Sequence, residues 1–184
     1  IAGCYLPADI FARFHRMIGN EVLMVSGSDS HGTPVTLEAE KRGVSPDEVF
    51  GQYHAEFLDN WERLGISFDL FTNTGTENHR TTVHNIFRVL QDKGYIYTDT
   101  TPLPYCHTCR RFLPDRYLKG TCPFCGNLDA RGDQCDNCGK PMNPEDLIDM
   151  QCRISGDTPE IRSSEHFFFK LSAFQEPLLA WVRE

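Results

Sequence analysis

The spacing of apolar residues predicts five helices. Within each helix, apolar side chains recur three or four positions apart, so that they lie on one face. The predicted helices cover residues 10–18, 33–43, 46–64, 78–93 and a last stretch from Ser172 onward. Ser45 and Glu48 form a capping-box pattern before the third helix, and Thr33 is the expected N-cap of the second, with Pro34 as its first helical residue. We expect the first helix to pack its apolar side chains, Phe11 among them, against another element.

Short apolar runs between these helices predict strands. They lie at residues 21–25, 66–70, 95–97 and 166–169. The first is a continuous apolar run, which is typical of a strand buried on both faces in a parallel sheet. Strands and helices alternate through the first hundred residues as in βαβ units. We therefore predict an α/β domain with a parallel sheet over residues 1–100.

A change of composition at residues 100–104 marks an expected module boundary. Prolines and threonines replace the periodic pattern there, and the sequence beyond is irregular and rich in cysteine and glycine, with a short helix near residues 143–145. The simplest topology is a sheet domain that is interrupted by an insertion over residues 101–165 and resumed over residues 166–184.

Composition excludes two broad classes of protein. The 184 residues contain no apolar run near the ~18 residues of a membrane helix, which argues against a membrane protein. Aromatic residues make up 11% of the chain, too many for a disordered protein. No signal peptide is visible, and the chain stops at Glu184 inside a predicted helix. We read the sequence as part of a longer protein.

Cysteine spacing carries the strongest chemical signal. Seven of the eight cysteines lie between residues 106 and 152, and six of them form CxxC pairs, which suit one metal ion better than separate disulfides. Two pairs, nine residues apart and each followed by glycine, predict a closed structural Zn²⁺ site of four thiolates: Cys122, Cys125, Cys135 and Cys138. Free or redox-active cysteine pairs are the alternative. With no export signal, a metal-type pattern indicates the reducing cytoplasm.

A third pair, Cys106 and Cys109, has no matching CxxC. The best remaining sulfur is that of Cys152, whose partner position holds Ser155, a weak ligand. The three cysteines form either a second zinc site, completed by a replacement ligand such as His107, or a decayed and empty site. The residues alone leave both interpretations open.

Charge is unevenly distributed along the insertion. The whole chain is acidic, at 18 minus 26, or −8. Residues 106–120 nevertheless carry a net +3, from four cations against Asp115: Arg110, Arg111, Arg116 and Lys119. This basic edge is a candidate contact for RNA phosphate, and a solvated surface is the alternative. An acidic total argues against nucleic-acid binding by this segment unaided.

The loop after the first predicted strand is a candidate ligand site. Ligands of open α/β sheets bind at the carboxyl ends of the strands, and Asp29 lies at that end. An unpaired carboxylate suits the ammonium group of a ligand. The alternative is a helix-capping acid, but Thr33 and Pro34 already supply a cap. His31 either contacts the ligand or braces the loop.

Five motifs of the chain occur together in one known family: residues 29–34 (DSHGTP), 112–116 (FLPDR), 120–123 (GTCP), 132–135 (GDQC) and 164–168 (SEHFF). In these motifs the chain resembles methionyl-tRNA synthetase, and the resemblance covers essentially the whole segment. It implies a Rossmann-like catalytic fold of the class I synthetases, incomplete here and interrupted by a zinc-knuckle insertion. The family activates methionine with ATP and Mg²⁺ and transfers it to tRNA(Met).

The resemblance also implies roles for individual residues. Asp29 corresponds to the carboxylate that receives the methionine ammonium group, with His31 in the same motif, and the four knuckle cysteines correspond to zinc ligands. Family members with two knuckle pairs have a second CxxC where this chain has residues 152–155 (CRIS).

Both ATP motifs of the family are expected outside this segment, so we predict that the segment alone is inactive. The competing interpretation is a non-catalytic zinc-ribbon module that binds RNA or protein. Such a module has no need of a buried strand that ends in Gly-Ser-Asp-Ser-His-Gly.

Overall fold

A computed structural model describes residues 3–183, whose contacts group the chain into two units, Ile1–Thr82 and Val83–Glu184. The first unit contains α1, Tyr5–Met17, β1, Val25–Ser28, α2, Thr33–Arg42, α3, Pro46–Leu64, and β2, Leu70–Asn73. Helix α4, Glu77–Asp92, follows β2. The predicted α/β class with a parallel sheet is confirmed.

Strands β1 and β2 pair in parallel, with Gly27 opposite Thr72. A Cβ atom at Gly27 would lie 2.8 Å from the Thr72 carbonyl oxygen, so the close approach of the two strands requires glycine. Both strands begin later than predicted. The expectation of a first strand buried on both faces is wrong, because Val25 is exposed and β1 pairs only with β2 among residues 3–183.

Aromatic side chains dominate the core of the first unit. One cluster consists of buried Ala12, Met24, Trp61 and Ile66, with Tyr5, Leu6, Val22, Phe68 and Phe71 packed against them. Helix α1 enters this core through Ala12 and its first turn. The predicted packing face of α1 is wrong, since Phe11, Phe14 and Met17 are exposed in the described chain.

The predicted N-terminus is correct for α3 and wrong by one residue for α2. The capping box of α3 is confirmed, with the Glu48 N–H donating to Ser45 Oγ and the Ser45 N–H donating to Glu48 Oε2. The N-cap of α2 is Gly32, at φ 112°, and not Thr33, which already lies inside the helix. The positive φ at this position explains why glycine precedes the helix.

A buried carboxylate joins α1 to the turn before β2. Asp9 Oδ1 accepts hydrogen bonds from the Ser67 N–H and hydroxyl, each at 2.7 Å, and Arg13 Nε donates to Oδ2 at 2.6 Å. Burial alone would raise the pKa of Asp9, but these hydrogen bonds hold it below its ordinary value. The ionised carboxylate therefore stabilises the folded first unit.

The second unit contains a three-stranded antiparallel sheet in the order β4–β3–β7. Its strands are β3, Ile96–Cys106, β4, Arg111–Phe112, and β7, Glu160–Phe169. Ten residue pairs join β3 to β7, from Ile96 opposite Phe169 to Tyr105 opposite Glu160. The third predicted strand therefore belongs to this sheet and extends far beyond residue 97.

Strand β3 is longer than predicted because two prolines within it indicated a loop. Pro102 and Pro104 are two residues apart, so their backbone groups point to the same edge of the strand. The Pro104 carbonyl accepts from the Leu113 N–H, so the ring nitrogens lie on the side away from β7. Proline is tolerated there because no ladder donor is lost. Strands β3 and β7 run across residues 100 and 165, and the division of domains at those positions stays a prediction.

The cysteine-rich segment is organised around a second antiparallel pair, β5, Leu118–Thr121, with β6, Ile148–Cys152. The short helix predicted near residue 143 is a 3₁₀ turn, Pro144–Asp146, capped by Asn143. The last predicted helix begins as a 3₁₀ turn, Leu171–Phe174, and continues as α5, Gln175–Arg183. Over residues 3–183, no helix combines the length and the apolar character that crossing a bilayer requires.

Candidate functional site

Two chain turns of the same form present the four predicted zinc ligands. In one, the Cys122 N–H donates to the Asn127 carbonyl at 2.8 Å and the Gly126 N–H donates to the Cys122 carbonyl at 3.0 Å. In the other, Cys135 pairs with Lys140 and Gly139 in the same way, at 3.1 and 2.8 Å. Gly126 and Gly139 have φ values of 73° and 70°, which favour glycine.

The sulfur atoms of the four cysteines form one compact cluster. Cys122 Sγ and Cys138 Sγ are 3.9 Å apart, Cys125 Sγ and Cys135 Sγ are 3.6 Å apart, and all four lie within 4.8 Å of one another. Ligands about 2.3 Å from a tetrahedral ion are about 3.8 Å apart, whereas a disulfide joins sulfurs at about 2.05 Å. The cluster has the dimensions of a metal site, and all four thiols are free.

The thiols of this cluster have very different pKa values, because each is affected by its hydrogen bonds, its burial and the neighbouring sulfurs. A hydrogen bond from the Cys138 N–H lowers the pKa of Cys135 to about 6, although burial opposes this. The Lys140 N–H favours the Cys138 thiolate, yet burial and the neighbouring thiols raise the pKa of Cys138 to about 11. Mutual repulsion disfavours four thiolates this close together unless a cation compensates their charge. A divalent ion supplies that compensation.

Polar groups around the cluster support both turns. The Asn127 and Asn137 amides lie 3.6 Å from the sulfurs of Cys135 and Cys125, respectively. Arg131, which lies between the two pairs in sequence, is buried and donates to Asp136 Oδ1 at 2.7 Å. The two amides contact the sulfurs in the manner of outer-shell groups at metal sites, and the ion pair braces the chain between the two turns.

A second cluster brings together the other three cysteines. Cys109 Sγ and Cys152 Sγ are 3.7 Å apart, and Cys106 lies within the same 4.8 Å limit. Burial opposes ionisation of Cys106, but hydrogen bonds from Ser155 and the Cys109 N–H lower its pKa to about 7. Burial together with the two adjacent thiols raises the pKa of Cys109 to about 11.

The carboxylate of Asp29 lies where the sequence predicted, directly after β1. It is exposed, and Oδ1 accepts from the His31 N–H at 3.0 Å and from Thr74 Oγ1 at 3.2 Å. His31 therefore meets Asp29 through its backbone, and its side chain is exposed. The same Thr74 hydroxyl accepts from the Ser30 N–H at 2.8 Å, so it joins the loops after β1 and β2.

The contribution of the loop after β2 was missed by sequence reasoning. Asn73 Oδ1 accepts from the Gly75 N–H at 3.0 Å and from Ser30 Oγ at 3.2 Å. The signal was the polar tripeptide at residues 73–75 following a short apolar run. Parallel strands have their carboxyl ends at the same edge of a sheet, so this tripeptide and the Asp29 loop lie next to each other.

An apolar cleft of about 480 Å³ lies beside Asp29 in the first unit. Its walls include Tyr5, Phe57, Trp61 and Phe71, with Asp29 as its carboxylate. The Trp61 Nε1 atom is buried and has no hydrogen-bond partner among the described residues. The cleft combines aromatic walls with one negative charge, which suits a ligand that has an apolar side chain and an ammonium group.

The predicted basic edge is spread over several elements of the second unit. The Arg111 guanidinium, on β4, lies 4.6 Å from the ring centroid of Tyr117. Arg110 has a φ of 52° and is exposed, and Arg116 lies half-buried in the 3₁₀ turn Asp115–Tyr117. Lys119 lines a shallow groove on β5 together with Asp149. The groove is therefore mixed in charge.

Comparison with known proteins identifies the family. The family model described as tRNA synthetases class I (M) matches residues 1–184. This chain belongs to the methionine group of the class I tRNA synthetases. Related class I synthetases include the Methionine--tRNA ligase of Thermomicrobium roseum, 58% identical over 99% of this chain, and that of Thermoplasma volcanium, 50% identical over 100%.

The chain spans about a third of the length of these synthetases, 31% of the first and 34% of the second. Among solved structures, Mycobacterium tuberculosis methionyl-tRNA synthetase in complex with methionyl-adenylate has a TM-score of 0.64. It is 24% identical, and the match covers 97% of this chain and 30% of that synthetase. This likeness supports the class I fold.

Proposed function

We propose that the protein containing this chain activates methionine with ATP and transfers the methionyl group to tRNA(Met). The observation that carries the proposal is the carboxylate of Asp29 beside an aromatic cleft, at the carboxyl end of a parallel strand. This is the place where α/β sheets bind ligands, and the family membership of the chain specifies which ligand to test.

Asp29 binds the ammonium group of methionine in this proposal. The carboxylate is exposed and oriented by Thr74 and the His31 N–H, so it retains acceptor capacity for a cationic ligand. A charge-assisted hydrogen bond at this position holds methionine while the methionine carboxylate attacks the α-phosphorus of ATP, which forms methionyl-adenylate and breaks the bond to pyrophosphate, the leaving group. Groups outside this chain, together with Mg²⁺, stabilise the negative charge that develops on the phosphates of ATP.

Zn²⁺ has a structural role in the proposal. Cys122, Cys125, Cys135 and Cys138 hold it, and the closed set of four sulfurs leaves no position for substrate. The ion stabilises the turns of the second unit and takes no part in the reaction. The free thiols and the metal-type clusters also suit a reducing, cytoplasmic environment.

The basic edge is proposed to contact tRNA phosphate. Arg110 and Arg116 offer charge near the first cysteine turn, while the net charge of −8 argues against RNA binding by charge alone. Arg110→Ala is expected to weaken tRNA binding and to flatten its salt dependence, measured by filter binding at several salt concentrations. Lys41→Ala, on α2, is the control cation. Equal salt slopes for Arg110→Ala and wild type would remove this contact.

Methionine-dependent exchange of pyrophosphate into ATP tests the main proposal. In the protein containing this chain, Asp29→Asn should raise the KM for methionine about tenfold or more, because a hydrogen bond to a charged group contributes about 1.5–3 kcal/mol. The KM for ATP should change much less. Asp59→Asn, an exposed acid on α3, is the matched control. An unchanged methionine KM would remove the proposed ammonium contact.

The isolated chain should bind zinc and show no exchange activity. A zinc-ribbon module that binds RNA or protein without catalysis would give a different pattern, with no exchange by the longer protein either. Measurable exchange by residues 1–184 alone would contradict the proposed division of labour between this chain and the rest of the protein.

A further inference from the structure

Three turns of this chain share one backbone arrangement, although only two carry a complete CxxC. After Cys152, the Cys152 N–H donates to the Asp157 carbonyl at 2.8 Å and the Gly156 N–H donates to the Cys152 carbonyl at 2.9 Å. Gly156 has a φ of 80°, close to the values at Gly126 and Gly139. Residues 152–156 therefore form a turn of the same form as the two complete CxxC turns, with serine in place of the second cysteine.

The serine of this turn occupies the position of the absent ligand. Ser155 Oγ lies 3.3 Å from Cys106 Sγ. With Zn–S at about 2.3 Å and Zn–O at about 2.0 Å, a tetrahedral site places sulfur and oxygen about 3.5 Å apart. The separation of Cys109 Sγ and Cys152 Sγ, 3.7 Å, matches the sulfur–sulfur edge of the same tetrahedron.

His107 is engaged elsewhere. Its Nε2 lies 2.7 Å from Glu160 Oε2 and 3.3 Å from Arg162 Nη2, on the surface of β7. Both ring nitrogens of His107 fall outside the cluster of three sulfurs. His107, the replacement ligand suggested from sequence, is therefore not in position to complete this cluster.

We infer that Ser155 completes a second metal site with Cys106, Cys109 and Cys152, which takes a thiophilic divalent ion such as Zn²⁺ and releases it faster than the four-cysteine site. Cys106 and Cys152 are fully buried, so water has little access to two of the sulfurs. The neutral hydroxyl is the weak member of the ligand set, because thiolates bind Zn²⁺ more strongly. This inference does not depend on methionine activation.

Zinc content and zinc release in the protein containing this chain test the inference. Elemental analysis should give two zinc ions per chain, and a colorimetric chelator should remove them in two kinetic phases. Ser155→Ala should accelerate the fast phase about tenfold or more and leave the slow phase unchanged. Ser163→Ala, an exposed serine on β7, is the matched control and should change neither phase.

Ser155→Cys is the complementary variant, because it adds a ligand and keeps the turn. It should slow the fast phase towards the rate of the four-cysteine site. In the Co²⁺-substituted protein it should increase the sulfur-to-cobalt charge-transfer absorption, as eight thiolates replace seven. Cys125→Ser should alter only the slow phase, which assigns the phases to the two sites.

The inference is overturned by either of two results. One is a single zinc ion in the wild-type protein, since the cluster of three sulfurs would then be empty. The other is a second zinc ion that is released at the wild-type rate in both Ser155 variants, since water would then be its fourth ligand. Circular dichroism of each variant separates these outcomes from loss of folding.

Discussion

The Thr74 hydroxyl donates to Asp29 Oδ1 at 3.2 Å and accepts from the Ser30 N–H at 2.8 Å. A single side chain after β2 therefore fixes the carboxylate that follows β1. The loop needs this support because Asp29 is exposed and its only other described contact is the His31 N–H.

Replacing Thr74 with valine should impair methionine binding through Asp29. The variant keeps the shape of the side chain but loses both the donor to Asp29 and the acceptor for the Ser30 N–H, so the methionine KM in pyrophosphate exchange should rise about three- to tenfold, equivalent to about 0.5–1.5 kcal/mol. Thr74→Ser retains the hydroxyl and should behave nearly as wild type. Equal KM values for the valine and serine variants would show that the hydroxyl does not orient the carboxylate.

Two glycine-to-alanine substitutions should have opposite effects on stability. A Cβ at Gly27 would lie 2.8 Å from the Thr72 carbonyl oxygen, so Gly27→Ala should push β1 and β2 apart and cost about 1–3 kcal/mol of unfolding free energy. Gly51, inside α3, has open space around the added methyl group. Gly51→Ala should stabilise by about 0.5–1 kcal/mol. Urea titrations of both variants measure the difference, and equal destabilisation would contradict the proposed strand contact.

Stability of the first unit should fall in acid through Asp9. Its folded pKa is lowered, so its contribution is present above the unfolded value of about 3.9 and is lost as pH falls through the folded pKa. Asp9→Asn should therefore reduce the unfolding free energy at pH 7 by about 1.5–3 kcal/mol, and the difference from wild type should shrink below about pH 4.

Denaturant unfolding of wild type and Asp9→Asn across this pH range checks the sign of the effect. Asp59→Asn removes an exposed acid of α3 and should show little change at any pH. A difference between wild type and Asp9→Asn that stays constant from pH 7 to pH 3 would exclude ionisation as its cause.

Arg110 takes the backbone conformation that glycine takes in the other three turns. Its φ is 52°, against 70° to 80° at Gly126, Gly139 and Gly156. Arg110→Gly should therefore relieve strain and raise the thermal midpoint slightly, whereas Gly126→Ala should lower stability by about 1 kcal/mol. Differential scanning calorimetry of the zinc-loaded protein measures both, and a fall in midpoint for Arg110→Gly would contradict this account.

Local signals in the sequence predicted local structure well. The capping box at Ser45 and Glu48 and the turns at Cys122 and Cys135 depend on residues within a few positions of one another. Their geometry is therefore readable from spacing. The α/β class followed from the alternation of helical and strand patterns in the same way.

Features that depend on distant partners were harder to predict. The exposure of Phe11 and Val25 and the length of β3 depend on which elements cover them or pair with them. Thr74 was missed because its role arises only when two strands lie side by side. Ser155 was noted as a weak ligand from its spacing, but only coordinates show that its oxygen lies against Cys106.

Tyr105 and Glu160 stand opposite each other at the end of the β3–β7 ladder. The segment between them, which contains β4 and all seven clustered cysteines, departs from the end of β3 and returns in β7 at a neighbouring backbone position. A short hairpin of two to four residues could join the same two points. Insertions, deletions or replacements within the cysteine segment can therefore leave the pairing of β3 with β7 unchanged.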